Sequence, residues 1–127
     1  MKEFMLLIRN EKESKTNFLP GLHLEFVKAC EVYIEAMIKN GNLIGAQPLV
    51  REGKMISGTP GAFNEGSYTE TNEIIVGYYH ILANDIDEAV ELAKGNPEFA
   101  YTQTAKIEVR PIKMKEETTS FLYPQGK

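Results

Sequence analysis

The chain has 127 residues, of which 43% are hydrophobic and 25% are charged, and its formal net charge at pH 7 is −4. These values are typical of a single globular domain, and the acidic balance argues against a nucleic-acid partner that binds through a basic face. One cysteine excludes an internal disulfide, and no apolar run approaches the ~20 residues of a membrane-spanning helix.

The first predicted element is a strand. Phe4 to Ile8 is a continuous apolar run, and its length and continuity favour a strand that is buried on both faces. The run is too short for the hydrophobic core of a signal peptide, and no small-residue cleavage site follows it. We therefore expect a cytoplasmic protein.

Residues 22–38 carry apolar side chains at spacings of three and four, which predicts an amphipathic helix. Cys30 lies within the apolar stripe and is interpreted as a small core residue. His23 opens the helix, where a neutral or surface histidine is the simpler interpretation because a cation would oppose the helix dipole. The stripe consists of Leu22, Phe26, Val27, Cys30, Tyr33, Ile34, Met37 and Ile38.

The middle of the chain is rich in turn-forming residues. Residues 43–51 and 54–57 are predicted to form a hairpin around Glu52 and Gly53, because glycine permits a tight turn. Residues 57–73 contain Gly and Pro without a clean period and are predicted to be a long loop. Long ordered loops in small domains often carry function.

A strand and a second helix are predicted next. Residues 73–82 form the strongest strand-like run of the chain. Asp85 and Glu88 then have the spacing of a capping box, which predicts the start of a helix.

The last predicted strand covers residues 105–114, where apolar and polar side chains alternate. Ile107 and Val109 share one face of this strand. Residues 115–127 are predicted to be a C-terminal tail that is polar apart from Phe121–Tyr123.

The order of these elements predicts an α+β fold. The order over residues 1–114 matches a ferredoxin-like βαββαβ domain with an extra hairpin strand. Right-handed crossovers place both helices on one face of the antiparallel sheet. The first strand and the 73–82 strand are apolar on both sides, so the other face is too apolar to stay in water. We therefore predict a homodimer through the sheet faces, forming a dimeric α+β barrel.

A polar cluster is predicted on the face of the sheet that carries no helix. A histidine beside a carboxylate can act as a general base near neutral pH, and arginine can hold a substrate carboxylate. The alternative is that the carboxylate and arginines form ion pairs at an interface and that the histidine is a satisfied core residue. The cluster consists of Arg9, Tyr78, His80, Glu108 and Arg110.

Motifs for cofactors are missing from the sequence. Two histidines and one cysteine give no metal-ligand spacing. The Gly-Thr-Pro-Gly segment at 58–61 lacks the Lys-Ser/Thr of a phosphate-binding loop. We predict neither a metal nor a cofactor.

Several short motifs together resemble the YCII-related family, in its DGPF-motif branch. The resemblance covers residues 3–113. The family's Asp-Gly-Pro-Phe reads Glu65-Gly66-Ser67-Tyr68 here, which keeps the acid, the glycine and the aromatic residue but loses the proline. The other motifs are Phe4–Ile8, Gly41–Leu43, Gln47–Leu49, Thr69–Glu73, Gly77–Tyr79, Asp85–Ala89 and Glu108–Pro111.

The resemblance implies a ferredoxin-like α+β fold, a dimer and a small enzyme. Members are related in shape to dimeric α+β barrel lactone isomerases and dehalogenases. Some have a proposed histidine–aspartate pair whose histidine lies at the start of the first helix, where His23 is the nearest match. The aspartate has no clear counterpart in this chain.

Three functions remain open at this point. The first is a cofactor-independent enzyme of isomerase, lyase or dehalogenase type that acts on a small acidic metabolite in a pocket near the dimer interface. The second is a non-catalytic dimer that binds or senses a small ligand, and the third is a module that docks a partner through Phe121–Tyr123. The candidate catalytic residues are His80, Glu65 and His23. The candidate substrate-binding residues are Arg9, Tyr78, Glu108, Arg110 and Tyr68.

Overall fold

The computed structural model describes residues 1–124. The strands are β1 (Lys2–Glu11), β2 (Leu43–Pro48), β3 (Met55–Thr59), β4 (Ala62–Gly66), β5 (Glu73–Ala83) and β6 (Lys106–Pro111). The helices are α1 (Pro20–Lys39), α2 (Ile86–Lys94) and α3 (Pro97–Tyr101). The sequence analysis did not predict α3, because five residues are too few to show a helical period.

Four strands form an antiparallel sheet in the order β2-β5-β1-β6. This is the strand order of the ferredoxin-like fold, so the predicted fold class is confirmed. β1 lies inside the sheet, where Leu6 is opposite Tyr79 of β5 on one side and Val109 of β6 on the other.

The core lies between the sheet and the helices. Phe4, Leu6 and Ile8 alternate with less buried neighbours along β1, and each is at most 3% exposed. Ile107 and Val109 pack against this core, as the alternation in the last strand predicts. The helices contribute Met37, Ala89 and Ala93 to it.

The opposite side of the sheet, here called the open face, carries the alternate residues of the same strands. Met5 and Leu7 of β1 are opposite His80 and Tyr78 of β5, respectively. Their side chains are half-buried, and they do not belong to the core between the sheet and the helices. Leu82 follows on the same face, two residues beyond His80.

The predicted hairpin between residues 43–51 and 54–57 is wrong. β2 pairs with β5 instead, and its Leu43 packs against the core. The hairpin forms later, between β3 and β4. β3 begins at Met55 inside the predicted 54–57 strand, and the rest of the hairpin lies in the segment that the sequence predicts as a loop. Gly58 and Gly61 have positive φ there, a conformation that glycine adopts at low cost. Every residue of β3 is exposed, so no buried side marked this strand in the sequence.

α1 is long but loosely packed on the sheet. Met37 is its one buried residue, near the C-terminal end. Phe26, Val27 and Cys30 of the predicted apolar stripe are half-buried, and Leu22 is 40% exposed. The N-terminal half of the helix therefore stands away from the sheet and leaves a cavity beneath its apolar side.

The segment after β6 folds back on itself. The N–H of Tyr123 donates to the carbonyl oxygen of Met114 at 3.0 Å, and the Tyr123 hydroxyl donates to Glu116 Oε2 at 2.5 Å. Phe121 and Leu122 remain 55% and 67% exposed, so docking through this segment stays a prediction. Residues 125–127 of the predicted tail lie outside the described residues. No helix within residues 1–124 is long and apolar enough to cross a membrane.

Candidate functional site

A cavity of about 520 Å³ lies between the N-terminal half of α1 and the sheet. The segment 46–51, which continues β2, forms one of its sides. Its volume is within the roughly 300–1,000 Å³ of small-molecule sites. The apolar walls include Ile8, Phe26, Val27, Ile34 and Val76.

A buried polar network forms the inner end of this cavity. Glu98 is 5% exposed and accepts a hydrogen bond from Asn10 Nδ2 at 2.8 Å. Lys15 donates to the same carboxylate oxygen and forms an ion pair with it. Asn10 is fully buried, and its Oδ1 accepts a hydrogen bond from the hydroxyl of Thr104 at 2.6 Å. A charged group this deeply buried requires a partner, and Lys15 is the cation that pairs with Glu98 here.

Two weakly acidic groups lie near Glu98 in the cavity wall. Burial raises the pKa of the Cys30 thiol to about 11, and the negative charge of Glu98 adds to this effect. Burial also raises the pKa of the Tyr79 phenol well above its usual range. Both groups therefore carry their protons at neutral pH.

Asn96 lines the same end of the cavity and is 3% exposed. Its Oδ1 accepts the backbone N–H of Glu98 at 2.8 Å and so caps α3. Its Nδ2 has no hydrogen-bond partner among residues 1–124. The amide lies close enough to Tyr79 to lower the pKa of that phenol slightly against the larger effect of burial. The contact falls short of hydrogen-bond geometry, so Nδ2 is a free donor within the described residues.

His23, Arg51 and Tyr68 line the outer part of the cavity. His23 and Arg51 are exposed, so they lie at its mouth. Arg51 Nη1 donates to the backbone carbonyl of Lys12, which ties the segment after β2 to the loop before α1. A side chain at Gly53 would come within 3.2 Å of the Tyr68 ring, so the glycine allows this ring to pack against the backbone.

The predicted polar cluster lies on the open face and not in the cavity. Glu108 accepts hydrogen bonds from Arg9 Nε and Arg110 Nη1, each at 3.0 Å. The bonds from Arg110 and Arg9, in that order of effect, hold the pKa of the Glu108 carboxyl below its usual range. His80 Nε2 lies 2.7 Å from Glu3 Oε1. The Arg9–Glu108 and His80–Glu3 contacts join neighbouring strands, and the Arg110–Glu108 contact lies within β6.

The structure thus divides the predicted site residues into separate groups. His23 and Tyr68 line the cavity. Glu65 lies on β4, where its Oε1 is 3.2 Å from Lys54 Nζ in an exposed ion pair. The remaining five lie on the open face, across the sheet from the core: Arg9, Tyr78, His80, Glu108 and Arg110.

The sequence analysis assigned no role to Lys15, Tyr79, Asn96 or Glu98. Asn96 before Pro97 has the pattern of a helix start, which was a usable local signal. Nothing local shows that Glu98 contacts Asn10, which is 88 positions away in the chain. Tyr79 is one residue from the predicted Tyr78, but the alternation of β5 turns it toward the helices.

The strand order and the cavity under α1 define a small ferredoxin-like α+β protein with a cavity of ligand size. The family model for the YCII-related domain matches residues 3–114, so the chain belongs to the YCII-related family. A search of curated proteins finds no match. Within the described part of the chain, no group of three or more His, Cys, Asp or Glu side chains is arranged to hold a metal ion.

Proposed function

We propose that this protein is a cofactor-independent enzyme of isomerase, lyase or dehalogenase type that acts on a small acidic metabolite. The proposed site is the cavity between α1 and the sheet. The observation that supports it is the composition of this cavity, in which apolar walls enclose a few polar groups at one end. Such a composition is typical of small-molecule sites, where the polar groups orient the ligand.

A cationic group at the mouth supports an acidic substrate. Arg51 uses Nη1 for the carbonyl oxygen of Lys12, and a guanidinium has further N–H donors that can hold a carboxylate. Lys15 is committed to Glu98. Binding of the substrate carboxylate is therefore assigned to Arg51.

His23 is the proposed general base. It lines the mouth of the cavity, and imidazole is the side chain best suited to accept a proton near neutral pH. The family resemblance also suggests a functional histidine at the start of the first helix. Tyr68, which lines the same region, is proposed to contact the substrate.

We also propose a homodimer that forms through the open faces. The exposed surface of the chain is 8889 Å², whereas a monomer of this mass is expected to expose about 6,800 Å². On the open face, Met5, Leu7 and Leu82 are only half-buried in the single chain, so this face can contribute to the roughly 800 Å² that a standard interface covers on each partner. In this dimer, His80 and Glu108 lie at the interface.

A second candidate function is binding without turnover. Glu98 is paired with Lys15, and Cys30 and Tyr79 keep their protons at neutral pH. The inner end of the cavity thus offers no free base among the described residues. This observation favours a protein that holds its ligand without converting it.

A ligand screen followed by product analysis separates the two functions. Small carboxylic acids are tested for an increase in thermal stability, since a ligand at 100 times its Kd adds about 2.7 kcal/mol. Each hit is then incubated with the protein and followed by NMR. The enzyme proposal predicts a product that His23→Gln abolishes while binding persists.

Lys28→Gln is the matched control, because Lys28 is also exposed on α1 and does not line the cavity. It is expected to retain both binding and turnover. Hits that bind and stay unchanged in every protein would favour the second function. A ligand that binds equally well after Arg51→Gln would remove Arg51 from the carboxylate site.

A further inference from the structure

We propose that the inner end of the cavity binds the oxygen of an uncharged carbonyl group, between Asn96 Nδ2 and the hydroxyl of Tyr79. This inference rests on the proposed function, because it assigns the second polar group of the metabolite. The carboxylate would lie at the mouth beside Arg51, and the carbonyl would lie at the opposite end.

Asn96 has a free hydrogen-bond donor, its side-chain Nδ2. A buried N–H without a partner costs about 1–3 kcal/mol, so buried polar groups are nearly always satisfied. Asn96 is 3% exposed, lines the cavity and has an unpaired Nδ2. Its orientation is set, because a flipped amide would lose the bond between Oδ1 and the N–H of Glu98. An acceptor inside the cavity would complete the hydrogen bonding of this group.

Tyr79 lies in the cavity lining beside Asn96. Its ring packs edge-on against Tyr33, with 5.5 Å between the centroids. Tyr33 uses its hydroxyl to donate to the carbonyl oxygen of Leu92 at 2.6 Å. Tyr79 instead lines the cavity, with the Asn96 amide beside its phenol. An oxygen that enters between them would meet an N–H donor and an O–H donor.

The electrostatic surroundings select an uncharged acceptor. Burial is the main cause of the raised pKa of Cys30 and of Tyr79, and the charge of Glu98 adds to it in both cases. At Cys30 its effect on the pKa is larger than the opposing effect of Lys15. The buried carboxylate of Glu98 lines this end of the cavity, and a second anion beside it is disfavoured, whereas the two neutral donors can bind a ketone, ester, lactone or amide oxygen.

Two probes of similar size and equal charge test the assignment. Para-acetylbenzoate and para-isopropylbenzoate both carry a carboxylate, and they differ in whether a carbonyl oxygen or a methyl group stands at the other end. Calorimetric titration measures their Kd values. We expect the acetyl probe to bind about tenfold more tightly, because the isopropyl probe leaves two buried donors unpaired.

Three variants identify the donors. Tyr79→Phe removes the hydroxyl and keeps the ring, and Asn96→Asp removes the N–H donors and keeps the oxygen that caps α3. Each is expected to reduce the preference for the acetyl probe at least threefold. Tyr33→Phe is the matched control, since it deletes a hydroxyl from the same aromatic pair outside the cavity lining, and it should keep the preference.

Infrared spectroscopy gives a second readout that does not depend on the folding of Asn96→Asp. The carbonyl stretch of bound para-acetylbenzoate should lie at lower wavenumber in the wild type than in Tyr79→Phe. Equal Kd values for the two probes in the wild type, or an unchanged stretch, would overturn the carbonyl site while leaving the cavity as a binding site. Failure of both probes to bind would count against the cavity, and hence against the proposed function as well.

Discussion

His80 Nε2 lies 2.7 Å from Glu3 Oε1 on the open face of the sheet. In the strand register, His80 is opposite Met5 and Glu3 is opposite Leu82, so the contact runs diagonally between β5 and β1. Both side chains are 18% exposed. The pair therefore links the two inner strands of the sheet at a half-buried position, away from the cavity.

Glu3→Gln tests the strength of this link. The variant keeps the size of the side chain and removes its charge. We expect the free energy of unfolding to fall by about 1 kcal/mol, because a hydrogen bond to a partly buried charged group becomes one between neutral groups. Denaturation with urea measures the change.

The control for this experiment is Glu65→Gln. Glu65 also forms an ion pair, with Lys54, but their side chains are 63% and 74% exposed. Exposed pairs contribute little, so the loss there should stay below about 0.5 kcal/mol. Equal losses in the two variants would contradict a special role for the open-face pair.

Leu7→Lys tests the proposed dimer. Leu7 lies on the open face opposite Tyr78, and an added charge without a partner is costly to bury in an interface. We expect light scattering to give a dimer for the wild type and the monomer mass of 14.3 kDa for the variant. The control is Ile56→Lys, because Ile56 on β3 is 65% exposed and lies outside the open face. This variant should remain dimeric. A wild-type mass near that of the monomer would refute the dimer.

Cys30 is the one cysteine of the chain, so its alkylation reports on the cavity. Burial raises its pKa from the ordinary 9.0 to about 11. The logarithm of the iodoacetamide rate should rise by about one for each pH unit, without a plateau below about pH 10, because the thiolate is the reactive form. In the urea-unfolded protein, the plateau should come near the ordinary pKa.

The same shift in pKa affects stability. Between pH 9.0 and about 11 the folded protein keeps the thiol proton that the unfolded chain loses. The folded state then binds more protons, so this contribution to stability is complete below the lower value and is lost as the pH rises. Cys30→Ala should remove this part of the alkaline loss. An alkylation rate that levels off near neutral pH in the folded protein would contradict both expectations.

Asn10→Leu tests the polar network at the inner end of the cavity. Asn10 is fully buried and bonds to Glu98, Thr102 and Thr104. A side chain of similar size without polar atoms leaves these partners unsatisfied, which should lower the free energy of unfolding by about 3 kcal/mol. Asn17→Leu, at an exposed position, should change it by less than about 0.5 kcal/mol. Similar losses in both variants would show that the network contributes little.

The end of β4 and the loop that follows it carry the motif that resembles the family's Asp-Gly-Pro-Phe. The segment Glu65–Tyr68 stands where the resembled family has its acid, glycine and aromatic residue. Tyr68 lines the cavity, but Glu65 points to Lys54, the residue just before β3 of the hairpin. Residues that are close in sequence take different surroundings, because one belongs to a strand and the other follows it.

The sequence by itself determined the secondary structure of several main elements and the faces of β5 and β6. Hydrophobic periodicity is local, so the side that carries Val109 could be assigned without knowing its partners, whereas the continuous apolar run of β1 gave no such assignment for Leu6. The capping pattern at Asp85 was local as well, and its carboxylate accepts the N–H of Glu88 at 2.8 Å as predicted. The polar cluster around His80 could be placed on the open face for the same reason.

The tertiary structure alone decided where the cavity lies and which groups enclose it. The pairing of β2 with β5 outweighed a local turn signal, because Leu43 gains its burial from the core and not from its neighbours in sequence. The apolar stripe of α1 predicted packing, yet the helix touches the core through its C-terminal end and leaves space beneath Phe26. Asn10 and Glu98 meet across 88 positions, and such contacts depend on how the layers are stacked rather than on any pattern along the chain.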